Sequence, residues 1–231
     1  MAQHPTGVHH LAFMAGDIKK HIAFFSDVMG CPLVALFDMH GVPGGLHAFL
    51  RMNDHSYFSI VQLPNVDQIP VQLGVTHAGN GALPCAPGTL QHLAFRADSE
   101  AELLAMRDRI RSHGVNVIGP IDHGMCRSIY FAGPDQMTLE VATPGATLDP
   151  DLWIDPAVLA KAGISPDEAA RFKAPAPYDG PSPVAQPAYA EDKPHMAYPK
   201  KAYLQMLAVP DAVITASASY TEPPVKAVAA T

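Results

Sequence analysis

Three side chains in this sequence have the chemistry and the placement to hold a metal ion: His10, His92 and Glu140. The two histidines open identical tetrapeptides, His10-Leu11-Ala12-Phe13 and His92-Leu93-Ala94-Phe95, each at the start of an apolar, strand-like run. A single histidine in such a place is more often packed or solvated than liganding. Two in equivalent places of a repeat differ, because a pseudo-twofold axis brings equivalent strands side by side. Glu140 sits in Met137-Thr-Leu-Glu-Val-Ala-Thr143, where alternation turns it to the opposite face from Leu139 and Val141. A carboxylate in the middle of a half-buried strand is costly unless paired or bound to a metal. Two imidazoles and one carboxylate can form a facial triad with open positions, the set that binds Fe(II) in oxygenases; zinc and manganese accept the same ligand types.

The elements around these residues repeat as well. After Phe13 come Asp17 as a helix N-cap, an apolar face of Ile18, Ile22, Phe25 and Met29, and Gly30 as a stop. Pro32 to Met39 reads as a strand, and Leu46 to Met52 with Tyr57 to Leu63 as a hairpin around Asn53-Asp54. After Phe95, Ser99 with Glu102 begins a second helix to Ser112. Val115 to Ile121, Arg127 to Ala132 and Met137 to Ala142 follow as strands. The order β-α-β-β-β therefore occurs twice. Residues 1–64 form the first module and 90–144 the second. Residues 65–89, rich in proline and glycine, join them; a linker is a sufficient reading, and a lid over a site is the alternative. From Pro144 onward lie 14 of the 23 prolines, so residues 145–231 read as a proline-rich extension. It is expected to hold short helices at Pro156–Ala162 and Pro166–Phe172 and extended chain beyond Ala174.

Composition narrows the function classes. A chain of 231 residues with 48% apolar content can bury a sizeable core, and a net charge of −7 without a basic cluster argues against nucleic acid or an anionic membrane. No apolar run is long enough for a membrane span, and the N-terminus lacks the features of a signal peptide. Cys31, Cys85 and Cys126 show no CxxC spacing and suit reduced thiols in a cytoplasm.

The paired modules resemble the vicinal oxygen chelate superfamily of glyoxalases, bleomycin- and fosfomycin-resistance proteins, epimerases and extradiol dioxygenases. The resemblance rests on His10-Leu-Ala-Phe, Phe24-Phe25, Val28-Met29-Gly30, His92-Leu-Ala-Phe, Tyr130-Phe131 and Gly133-Pro-Asp-Gln-Met-Thr-Leu-Glu140, within residues 7–144. It implies an α+β fold in which the tandem βαβββ modules form a cupped mixed sheet around a metal, with the extension outside it. It also implies that His10, His92 and Glu140 are the metal ligands. His9 competes with His10, but Gln91 stands at its equivalent place.

Counting from Asp54 against Asp135 puts Ser59 opposite Glu140, where glyoxalases usually carry a fourth ligand; Gln62 takes that place if the register slips. A serine there is most like the extradiol dioxygenases. The resemblance then implies Fe(II) (with Zn, Mn or Ni as alternatives), O2, a small hydrophobic or aromatic substrate such as a catechol, and a homodimer in aromatic-compound breakdown. Tyr130 is expected to hydrogen-bond the substrate, and His47 or His123 to move protons, although the family's spacing is not reproduced: Ile121 stands nine residues before Tyr130. Arg51 and Arg127 are candidates to neutralise an anionic substrate, and Phe49, Leu63 and Met137 to line the cup. A metal-dependent isomerase or lyase and a non-catalytic binding protein are the alternatives.

Overall fold

The computed structural model describes residues 4–217 and 223–225; residues 1–3 and the remainder of the C-terminal extension, 218–222 and 226–231, lie outside the described range. Two four-stranded mixed sheets carry the fold. In the first, β1 (His10–Met14), β2 (Leu33–Asp38), β3 (Leu46–Asn53) and β4 (Ser56–Gln62) lie in the order β1-β4-β3-β2, with β1 parallel to β4. In the second, β5 (Leu93–Arg96), β6 (Val117–Asp122), β7 (Cys126–Ala132) and β8 (Thr138–Pro144) repeat the plan as β5-β8-β7-β6. The tandem βαβββ architecture is therefore present.

Each module packs one helix on one face of its sheet. α1 (Ile18–Ala23) begins at Asp17, whose carboxylate accepts from the Lys20 N–H at 3.2 Å. The helical run reaches Val28 as expected, but through a π-helical turn over Phe24–Val28. That wider turn keeps Phe25 and Val28 buried. Gly30 ends it at φ +78°, with the Arg109 guanidinium packed where a side chain would begin. α2 (Glu100–Ser112) is capped by Ser99, and Glu102 reaches back to the Asp98 N–H at 2.8 Å.

One apolar core runs through both modules. Phe25 meets Phe58 at a ring distance of 3.9 Å and Phe95 at 6.4 Å, and Leu103, Ile110, Ile129 and Leu139 are fully buried around them. Burying such a side chain is worth about 1.5–3 kcal/mol, so the core fixes the modules against each other. Polar ties reinforce it: Arg109 donates to the carbonyls of Val28 and Asp27 at 2.8 and 2.6 Å. Asp135 accepts from the Gly16 N–H at 2.8 Å and lies 3.5 Å from Nε2 of the buried His21. Phe13 turns toward this core, which leaves His10 and Ala12, at alternate positions, on the open face of the first sheet.

Residues 65–89 fold on themselves. Gly74 donates to the His77 carbonyl at 2.7 Å, Ala86 to that of Val75 at 3.0 Å, and Ala78 is buried. The compact unit extends from His4 to Pro175 and takes in α3 (Pro150–Trp153), α4 (Pro156–Lys161) and α5 (Pro166–Lys173). The last two fall where the sequence places them, α5 with a full capping box between Ser165 and Glu168. From Ala176 the chain forms a separate unit. The extended chain expected there gives way to α6 (Lys200–Leu207) and α7 (Asp211–Ala216), each starting directly after a proline, Pro199 and Pro210. Proline is well tolerated at a helix start, and proline content alone hid these two.

Candidate metal and substrate site

The ladder positions settle how the two halves correspond. Ala94 and Tyr130 flank Glu140 in the second sheet, and Ala12 and Phe49 flank Ser59 in the first. Ser59 therefore holds the place of Glu140. Gln62 is engaged elsewhere, its side-chain oxygen accepting from the Ile18 N–H at 2.7 Å.

In the second module, His92 Nε2 lies 3.1 Å from Oε2 of Glu140, whose side chain is only 6% exposed. On the other side of the ring, His92 Nδ1 meets the amide oxygen of Gln91. The Gln91 NH2 group donates to the carbonyls of Asn80 and Leu83 at 3.2 and 3.3 Å. With its donors so used, Gln91 offers its oxygen to the ring, which places a proton on Nδ1 of His92. A neutral His92 then points the Nε2 lone pair at a carboxylate oxygen. Two acceptors this close need a cation between them, either a proton on the ring or a metal ion. Two ligand atoms each about 2.1 Å from an ion, at right angles, lie about 3.0 Å apart. The pair thus fits two ligand positions of a divalent metal, and Gln91, on the far nitrogen of the ring, sits where a partner orients a liganding histidine.

Tyr130 stands across the ladder from Glu140, and its hydroxyl exchanges a 2.9 Å hydrogen bond with His123 Nε2. Burial, aided by the Glu140 charge, pushes the Tyr130 pKa up, so it stays a neutral phenol able to donate. His123 lies in the loop before β7. Trp153 of α3 packs over Gly124 beside it, and Ala146 donates to the Gly124 carbonyl at 2.8 Å.

The first module gathers a different set on its open face. His47 Nε2 is 2.7 Å from the hydroxyl of the fully buried Ser59. Phe49 lies against both His10 and His47, with ring distances of 5.8 and 4.5 Å. Burial pushes the His47 pKa down, and the neighbouring His10 and His40 push it further, which favours a neutral imidazole. His9, the competing ligand candidate, brings Nδ1 to 2.9 Å from Nδ1 of His10. It thus partners His10 as Gln91 partners His92.

Of the six predicted site residues, the chain brings together His92 with Glu140 and Tyr130 with His123 around one ladder, and His10 with His47 around the other. Among the described residues no three His, Cys, Asp or Glu side chains converge to hold a metal, so His10 does not join His92 and Glu140 within one chain. Arg127 is taken up by Glu100 and Asp122, and Arg51 lines a groove of about 980 Å³ that contains none of the six. Met137 lines a second cavity, which His92 also borders. Sequence reasoning missed Gln91. Strict alternation sends it away from His92, but β5 starts only at Leu93, so the pleat does not constrain these two.

No described helix is long and apolar enough to cross a membrane. The family model described as the glyoxalase/bleomycin resistance protein/dioxygenase superfamily matches residues 7–141. No curated protein matches the chain. Among solved structures, a glyoxylase/bleomycin resistance protein/dioxygenase domain from Frankia sp. EAN1pec is 13% identical with a TM-score of 0.49, over 61% of this chain and 99% of that one. TnmS3, an antibiotic binding protein from Streptomyces sp. CB03234, is 24% identical with a TM-score of 0.43, over 62% and 100%. A mutant of the fosfomycin resistance protein FosX from Listeria monocytogenes, complexed with Mn(II) and 1S,2S-dihydroxypropylphosphonic acid, is 20% identical with a TM-score of 0.44, over 64% and 99%.

Proposed function

Since the chain belongs to the glyoxalase/bleomycin resistance protein/dioxygenase superfamily, we propose that it is a metal-dependent enzyme, a ring-cleaving dioxygenase of the extradiol type that acts on a catecholic substrate with O2. The observation that carries this reading is the buried Glu140 facing His92 Nε2, with Ser59 at the equivalent place in the first module. A binding protein has no use for a buried carboxylate set against an imidazole lone pair. An isomerase of the glyoxalase type usually carries a fourth metal ligand where this chain has Ser59, and the engagement of Gln62 at α1 leaves no substitute.

His92, Glu140 and His10 would hold the metal, with Fe(II) the ion that suits this set. Bound there, it would supply Lewis acidity toward two vicinal oxygens and redox chemistry toward O2. The chain's own groups do the rest. Tyr130 donates its phenolic hydrogen to a substrate oxygen and fixes the ring's orientation, with His123 behind it to pass a proton. His47, kept neutral, accepts a proton from a substrate hydroxyl. Phe37 and Phe49, stacked at 6.1 Å, exclude water beside it.

The third ligand comes from a second copy of the chain. His10 stands on the open face of the first sheet, and a twofold arrangement that lays this face over the second module of the partner completes two identical sites. Such a homodimer, with free thiols at Cys31, Cys85 and Cys126, suits the cytoplasm.

The test is metal content of protein purified without oxygen, together with O2 uptake on a catechol panel. Stoichiometric iron and O2 consumption, both lost in Glu140→Ala, are the expected result. Zinc, nickel or manganese with no O2 uptake would overturn the dioxygenase reading in favour of an isomerase or lyase.

A further inference from the structure

Residues 65–89 do more than connect the modules. With the end of β1, the chain before β5 and the turn before β8, they enclose a cavity of about 630 Å³. Met14, Ile69, Val71, Leu90 and Met137 give it an apolar side, Asp17, Lys20, Asp67 and Asp135 a charged one, and His92 forms part of its border. Thr138, two residues before Glu140 on the same strand face, also lines it, and its buried hydroxyl has no hydrogen-bond partner among the described residues. The wall is built rather than loose. Gln72 and Thr76 bond each other at 2.9 Å, Leu73 bridges to His77, and Gln91 holds the carbonyls of Asn80 and Leu83 while touching His92.

We propose that this cavity binds the hydrophobic body of the substrate, and that the 65–89 segment sets substrate size. The inference rests on the reading of His92 and Glu140 as the reaction site, since it is His92 that joins the cavity to that site. Volume decides the class of ligand. A dry apolar cavity of about 150 Å³ holds benzene, so this one has room for more than a single ring. The vicinal oxygens of the substrate reach the His92–Glu140 pair while a second aryl ring or a fused ring lies against Ile69, Val71 and Leu90.

Calorimetric binding of 4-phenylphenol against phenol tests the cavity on the full chain without added metal, because neither probe has vicinal oxygens. The two-ring probe is expected to bind at least about tenfold more tightly, in line with the discrimination an apolar pocket achieves. Val71→Trp and Leu90→Trp, filling the space from opposite walls, should each abolish that preference at an unchanged melting temperature. Equal binding of both probes, or a preference that survives in two folded variants, would overturn the proposal. O2 uptake separates it from the reaction reading. Size-selective binding with no O2 uptake on any vicinal diol leaves the cavity standing and removes the dioxygenase. Uptake on one-ring and two-ring diols at a ratio that neither tryptophan alters does the reverse.

Discussion

A candidate ligand pair can be read from sequence when one member is expensive to bury. Glu140 is such a residue: its strand fixes its face, and its burial calls for partners such as His92 Nε2 at 3.1 Å. Gln91 gives no such signal, because amides are at home anywhere and its contact depends on chain outside the pleat. Its role is testable. Gln91→Leu should weaken divalent-metal binding about 10–100-fold, the usual cost of losing the group that orients a liganding histidine, with titration calorimetry as the measurement and little change in melting temperature. His47 carries a pH prediction. Unfolded, it takes up a proton near 6.5; in the fold its pKa is lowered, so protonation is delayed to more acid pH. As pH falls below that unfolded value the unfolded chain binds more protons, and the native state loses stability. Urea midpoints measured on either side of that value should therefore differ less in His47→Phe than in the parent chain.

At the scale of elements, strands and helices followed from periodicity, while their ends and junctions did not. The apolar face Ile18, Ile22, Phe25 and Met29 gives a helix, but not the π turn that completes it, since a single wide turn leaves the same residues inward. The turn before β8 joins two antiparallel strands, β7 and β8. It also clamps the first module, because Asp135, held at φ +50°, accepts from Gly16 and faces His21. No local pattern reports a contact between residues so far apart in sequence. Asp135→Ala strips the buried His21 of the carboxylate 3.5 Å from its Nε2 and leaves the Gly16 N–H without its acceptor. Such unsatisfied groups cost about 1–3 kcal/mol, a loss that chemical denaturation of the full chain will read; an unchanged midpoint would mean the clamp is idle.

For the whole molecule, the repeat announces two modules but not that the chain keeps its three candidate ligands in two places. The sequence equivalence of His10 and His92 suggests one site, whereas the ladders give each histidine its own sheet. Completion by a second copy makes a sharp prediction. His10→Ala and Glu140→Ala should each be inactive alone. Unfolded together and refolded, they should recover about a quarter of the parental activity, since half the dimers are mixed and one of their two sites is intact. No recovery by a folded mixture would mean that all three ligands come from one chain. The extension was the least legible part, because Pro199 and Pro210 start helices where proline content suggested none.

The bonds from Gln91 to Asn80 and Leu83 also bear on how this protein is divided for use as a fragment-complementation reporter. The segment between the modules is the obvious place to cut, yet its ends are not equivalent. A break just after Pro64 leaves those carbonyls covalently attached to the half that carries His92. A break after Cys85 gives them to the other half, so that the orientation of the His92 ring depends on how well the fragments reassociate. The first division yields a half-protein with that ring already oriented; the second yields a sensor of reassembly.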